Sequence, residues 1–202
     1  MIGIINYGLG NLKAFENLFK SNSIPSLIIE NEQDFDKVKC LILPGVGAFD
    51  NAIKKLKSQS YFLKLNNLIC EHQIPIMGIC IGMHIMLEES EEGNEKGLSW
   101  VKGNVKKFKE SNLMLPHMGW NDIEILNNDE IFVDIDDYNE FYFLHSYYVE
   151  NIETQNILTN TIYKRKFCSA FKHKNIYGIQ FHPEKSHSNG VKILKNFYKK
   201  YA

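Results

Sequence analysis

Arginine is nearly missing from this 202-residue chain: Arg165 is its one example among 23 lysines and arginines. The planar forks that read phosphates and base edges are therefore scarce, the lysines are scattered, and the net charge is −1. That argues against a nucleic-acid partner. Long apolar runs are lacking as well. Residues 74–87 are apolar but glycine-broken, and they fall short of the roughly 20 residues that span a bilayer, so no membrane partner is expected. Cysteine pairs are lacking too. Cys40, Cys70, Cys80 and Cys168 stand far apart, without metal-ligand spacing and with no secretion signal ahead of them. Reduced thiols in the cytoplasm are the expectation. With five prolines, no repeat, no low-complexity tract and no linker, the chain reads as one domain over 1–202, and 44% hydrophobic content suffices for one sizeable core.

What is present begins as strand, glycine loop and helix. Residues 1–6 are apolar, Gly8 and Gly10 follow, and Leu12, Phe15, Leu18 and Phe19 then share one helical face. A dinucleotide fingerprint would need a third glycine where Lys13 stands, which favours a structural turn. Strands are expected over 25–30 and 38–43, the latter running into Pro44-Gly45-Val46-Gly47. Glycines alternating after a strand free the backbone to present N–H groups to an oxyanion, or make a tight turn. Helices are expected over 50–57 and 61–72, with Ile53, Leu56, Phe62, Leu65 and Ile69 inward and Cys70 as packing. This order implies a parallel sheet covered by helices on both faces, with ligands outside the carboxyl ends of its strands.

Residues 74–87 organise the rest. Their first half reads as a buried parallel strand and their second as a helix, with Gly78-x-Cys80-x-Gly82 at the junction. A sharp strand-to-helix turn needs small neighbours, aims the cysteine sulfur into a cleft and sets it where the helix dipole favours a thiolate. A buried structural cysteine is the competing reading. Beyond Glu88 the segments 101–108, 122–126, 140–149, 157–163 and 167–172 are rich in β-branched and aromatic residues, a largely antiparallel extension of the sheet. Glu88, Glu89, Glu91 and Glu92 read as a solvated acidic face. A last strand, 176–181, precedes His182-Pro183-Glu184 and a closing helix with Val191, Leu194, Phe197, Tyr198 and Tyr201 inward. Pro183 holds His182 extended, so His182 and Glu184 point to one side, and the carboxylate can fix the tautomer of an imidazole acting on a thiol. Nucleophile, base, orienting acid and backbone donors together suit acyl transfer from an amide or ester.

Gly-Ile-Cys-Ile-Gly, with His-Pro-Glu about 100 residues later, resembles the class I (triad) glutamine amidotransferases. Within them, Tyr-Gly-Leu-Gly-Asn, Pro-Gly-Val-Gly-Ala-Phe, Pro-His-Met-Gly-Trp-Asn (116–121), His-Ser-Tyr-Tyr (145–148) and Gln-Phe-His-Pro-Glu-Lys-Ser (180–186) resemble the glutaminase subunits of imidazole glycerol phosphate synthase. The resemblance covers nearly the whole chain. It implies a flavodoxin-like α/β amidotransferase fold, and a Cys80-His182-Glu184 triad that hydrolyses glutamine through a glutamyl thioester. It further implies oxyanion donors at Val46, Gly47 and Ile81, and glutamine contacts from Gly47, Glu92, Ser146 and Tyr147. No metal or organic cofactor is implied. The implied partner is a (βα)8-barrel cyclase subunit, in a heterodimer for histidine biosynthesis, with Asn11, Trp120 and Lys185 facing it; for Trp120, core packing is the other reading.

Three positions depart from the family pattern. His84 stands four after the nucleophile, where glutamine is usual; i and i+4 share a helix face, so its imidazole is expected to contact the substrate instead. Asn6 replaces an aspartate, and Ser186-His187 a Ser-Gln pair. Relatives of such subunits supply ammonia to a different barrel in surface-sugar assembly, and acceptor choice lies with the partner. A related peptidase or chaperone would carry histidine where Ile81 stands. A silent binding subunit would have lost a triad member, and all three are present.

Overall fold

Short apolar runs alternating with amphipathic stretches leave one topology open, a parallel sheet built by crossovers. The computed structural model describes residues 1–135 and 140–201. Its elements are β1 (Ile2–Ile5), α1 (Leu12–Ser21), β2 (Ser26–Ile29), β3 (Cys40–Gly45), α2 (Phe49–Lys57), α3 (Phe62–Cys70), β4 (Ile76–Cys80) and α4 (Ile81–His84). After them come β5 (Glu89–Ser90), β6 (Asn104–Lys107), β7 (His117–Asp122), β8 (Glu124–Ile125), β9 (Glu140–His145), β10 (Tyr147–Glu150), β11 (Ile157–Tyr163), β12 (Arg165–His173), β13 (Ile176–Ile179) and α5 (His187–Tyr201). Strands β2-β1-β3-β4-β13 are parallel, and the sheet continues through antiparallel β12, β10 and β6. This is the expected mostly parallel α/β sheet with its antiparallel extension. The central strands β1, β3, β4 and β13 are buried along their whole length, as strands covered on both faces must be. Phe15 and Phe19 dock α1 on the core, each side chain contributing about 1.5–3 kcal/mol of burial. Among the described residues no helix is long and apolar enough to cross a membrane.

The structure departs from expectation in six places. The helix after Cys80 lasts one turn, because the carbonyls of Ile85, Met86 and Leu87 accept from the crossing segment 98–101 instead of continuing a helix. The strand expected over 140–149 breaks at Ser146: His145 Nδ1 bonds the Tyr147 carbonyl at 2.8 Å, and β9 leaves the main sheet to pair with β7. Residues 101–108 contribute only β6, since the Trp100 and Val101 N–H groups are already spent on the Met86 carbonyl. Cys70 is exposed rather than packed, and Ile193 on α5 is buried where Val191 is only half-buried. The four glutamates are not a plain solvated face. Glu88 accepts from the Gly103 N–H, Glu91 from that of Lys107 and Glu92 from that of Phe49, so the cluster ties loops to strands.

Candidate active site

Cys80 closes β4 between β3 and β13, with Gly45 opposite it in register. Its backbone lies at φ 55°, ψ −111°, a region that costs a non-glycine residue about 1–3 kcal/mol and persists only where the surroundings impose it. Glycines impose it here. A Cβ on Gly82 would sit 1.9 Å from the Leu43 carbonyl oxygen, and one on Gly78 2.5 Å from the Gly82 oxygen. The elbow can therefore press α4 against the ends of β3 and β4 only while both positions stay bare. The result is a cysteine side chain at the strand end, its thiol donating to the Leu144 carbonyl at 3.8 Å.

The histidine is held by backbone as firmly as the cysteine. His182 donates its N–H to the Tyr142 carbonyl (2.8 Å), and its own carbonyl accepts from the Ser186 hydroxyl (2.6 Å). Ser186 Oγ in turn accepts the Tyr142 N–H at 3.0 Å. His182 is extended as expected, but Glu184 reaches it by another route: Pro183–Lys185 is a 3-10 turn that swings the carboxylate back. His182 Nδ1 and Glu184 Oε1 are 2.9 Å apart, with 3% and 4% of their side chains exposed. Burial opposes charge on the ring, yet Cys80 and Glu184 outweigh it and raise His182 to about 10. Among the described residues Nε2 has no hydrogen-bond partner, which leaves it for the chemistry.

Cys80 and His182 meet in a cavity of about 260 Å³, large enough for an amino acid. Val46, Gly47 and Ile81 line it together with Glu92, Ser146 and Tyr147. Gly47 takes φ +97°, with nothing near its would-be Cβ, so glycine serves the backbone angle and not the space. Ile81 opens α4, so its N–H has no intrahelical acceptor. Glu92 is raised by burial first, with the Phe49 N–H pulling it back and Asp50 adding to the rise. Among the described residues no group of three or more His, Cys, Asp or Glu side chains is arranged to hold a metal ion.

His84 lines the cavity, but its Nε2 is 2.7 Å from Gln180 Oε1, so this nitrogen is committed to the protein and not to substrate. Three residues that went unassigned in the sequence also matter. Gln180 Nε2 lies 3.8 Å from the Cys80 sulfur. His145 stands next to Ser146, bonded through Nε2 to His117 Nδ1 at 2.9 Å. Burial pushes His145 far down, the neighbouring His117, His84 and His182 adding to the fall against the Tyr147 carbonyl, and burial lowers His117 to about 4. All three belong to family-like motifs, but nothing in the chain order pairs them with these partners. Of the three residues expected to face a partner, Asn11 caps α1 through the Ala14 N–H. Trp120 is 44% exposed and stacks on His187 at 4.8 Å, so it is not core. Lys185 is exposed at the cavity's edge, over the Tyr142 ring.

Likeness to known proteins points the same way as this geometry. Residues 4–201 match the family model described as "Glutamine amidotransferase class-I". The chain is 42% identical over 201 residues to "Imidazole glycerol phosphate synthase subunit HisH" of Leptospira interrogans, covering 98% of each chain. It is 41% identical over 200 residues to "Imidazole glycerol phosphate synthase subunit HisH 2" of Methanococcus maripaludis, covering 98% and 99%. Among solved structures, a putative GMP synthase subunit from Thermoplasma acidophilum superposes with a TM-score of 0.73 at 21% identity, covering 98% of this chain and 92% of that one. PurLQS from Thermotoga maritima gives 0.72 at 16%, covering 98% and 97%. These last two speak for the fold alone.

Proposed function

The chain belongs to the class-I glutamine amidotransferases, and from that premise we propose that it is the glutaminase subunit of an imidazole glycerol phosphate synthase, one amidotransferase domain acting in the cytoplasm on glutamine. The observation that carries the reading is the meeting of Cys80, on a strained elbow, with a carboxylate-paired His182 in one amino-acid-sized cavity. Cys80 gives its proton to His182 Nε2, and its sulfur attacks the side-chain amide carbon of glutamine. Backbone N–H groups of Val46 or Gly47 and of Ile81 meet the oxyanion. Collapse expels ammonia, which takes the proton from His182 and leaves a glutamyl thioester on Cys80. Water then attacks the thioester as His182 accepts its proton; glutamate departs and the thiol is restored. Glu184 holds the ring's tautomer throughout. Gly47, Glu92, Ser146 and Tyr147 hold the substrate.

The ammonia passes to a partner subunit, read as a (βα)8-barrel cyclase. Trp120 and Met118, 44% and 61% exposed on β7, form with Asn11 and Lys185 the face offered to it. The test combines the chain with the cyclase of its own organism, glutamine and the cyclase's ribonucleotide substrate. Glutamate and imidazole glycerol phosphate should form together and both vanish in Cys80→Ala. A cyclase that works on added ammonia but never couples to this chain would overturn the histidine assignment and point to another barrel partner.

A further inference from the structure

His84 and Gln180 are buried, polar and spent on each other. His84 is 1% exposed and Gln180 0%, and the two join a residue of α4 to the residue that follows β13. From Cys80 the contacts run in series: sulfur to Gln180 Nε2 at 3.8 Å, then Gln180 Oε1 to His84 Nε2 at 2.7 Å. We propose that His84 and Gln180 act as a positioning pair, in which the His84 ring fixes the Gln180 amide with its NH2 toward Cys80, supplying a hydrogen bond that the sulfur needs only once it has lost its proton.

Donors and acceptors decide the orientation. A carboxamide can face the sulfur with nitrogen or with oxygen. A thiolate has no proton to give, so an oxygen turned to it sets two electron-rich atoms against each other, whereas the NH2 group donates. With nitrogen toward sulfur, Oε1 must face His84, and Oε1 can only accept. His84 must then carry its proton on Nε2 and leave Nδ1 bare, and among the described residues Nδ1 is indeed a buried nitrogen without a partner. Burial lowers His84 to about 4, Gln180 offsetting part of this, so the ring is neutral at working pH and holds a single proton to commit. The thiol state needs no such donor, because Leu144's carbonyl already accepts its S–H. The pair thus favours the state reached as His182 takes the proton from Cys80. Other titratable groups around the sulfur are His182 and Glu184 beyond β13, His145 at the end of β9, and Tyr7, whose hydroxyl donates to the Pro44 carbonyl.

This rests on Cys80 being the nucleophile, and the readouts are chosen to keep the two apart. The pH profile of Cys80 alkylation by iodoacetamide, followed as the mass of the Cys80 peptide and so kept apart from the exposed Cys70, needs no glutamine turnover, while glutamate release in the coupled complex reports catalysis. His84→Leu and Gln180→Met should each move the alkylation profile to higher pH by about one unit and lower kcat roughly tenfold, with the glutamine KM within about twofold. The double variant should be no worse than either single one, since each breaks the same series. His84→Gln, which keeps a donor toward Gln180, should restore both readouts. A leucine that does not fold leaves Gln180→Met and His84→Gln to decide. An unmoved alkylation profile with a raised glutamine KM would overturn the inference and make His84 a substrate contact. Additive losses in the double variant would overturn the coupling. Glutamate release retained in Cys80→Ala would instead defeat the nucleophile assignment itself.

Discussion

The two walls of the cavity treat histidine in opposite ways. On the wall carried by β4 and β13, His182 faces a carboxylate and a cysteine, and despite burial it is raised to about 10. On the wall carried by β7 and β9, His145 and His117 hydrogen-bond to each other, to a backbone carbonyl and to Asn121, with no carboxylate paired to either among the described residues, and burial drives both down. Similar burial gives a proton acceptor in one place and a neutral strut in the other, because a buried charge persists only when a partner compensates it. The first wall is built to move a proton. The second sets the turn that carries Ser146 and Tyr147.

Removing the sulfur should disable the first wall outright. Cys80→Ala should lower glutamate release by roughly 10⁴-fold or more, measured in the coupled complex. Folding should survive, because alanine is smaller and the two contacts it removes, to the Leu144 carbonyl and from the Gln180 amide, are long ones at 3.8 Å. Next in size is Gly82→Ala, whose Cβ would enter the Leu43 carbonyl. Neither backbone can retreat from that overlap. Urea unfolding should show a loss of about 3 kcal/mol or more, and Cys80 should lose its aim with it. Glu184→Gln comes third. An amide keeps the shape but not the charge that favours the imidazolium, so kcat should fall by about 10²-fold while the protein folds normally. A Glu184→Gln variant with unchanged kcat would deny the carboxylate its role and erase the contrast between the walls.

The walls differ also in how far the sequence could disclose them. Gly78, Cys80 and Gly82 lie within five residues, and His182 and Glu184 within three, so local spacing reveals the reactive wall. A turn that must be tight writes its glycines next to its nucleophile. The other wall is made by pairing. His117 reaches His145 only through the β7–β9 register, 28 residues apart, and even on the first wall the Gln180–His84 contact, which spans 96 residues, is hidden in the same way. No periodicity encodes such meetings. The same limit explains the strand expected to run unbroken through 140–149: its break depends on one imidazole bonding the carbonyl two residues on. It explains His84 as well. Helical spacing correctly brought it to the cavity, but a helix of one turn cannot tell which neighbour an imidazole will choose.

The smallest effect tests the neutral wall by pH. His117 lies stacked between Phe143 and Tyr163, at 4.8 and 3.9 Å between ring centroids, so His117→Phe fits the slot. It also strips His145 Nε2 of its partner, and an orphaned buried acceptor costs about 1–2 kcal/mol. At pH 7.5 the variant should therefore be slightly weaker in urea unfolding. Acid erodes the advantage. His117 is lowered from 6.5 to about 4 in the folded chain, so below pH 6.5 the unfolded chain binds a proton that the folded one still refuses. The stability His117 confers is complete above about pH 6.5 and drains away as pH falls toward 4. Phenylalanine has no proton to refuse, so the gap between variant and parent should narrow at pH 4.5. A gap that stays constant from pH 7.5 to 4.5 would mean that His117 titrates alike in both states, and the neutral wall would then owe nothing to burial.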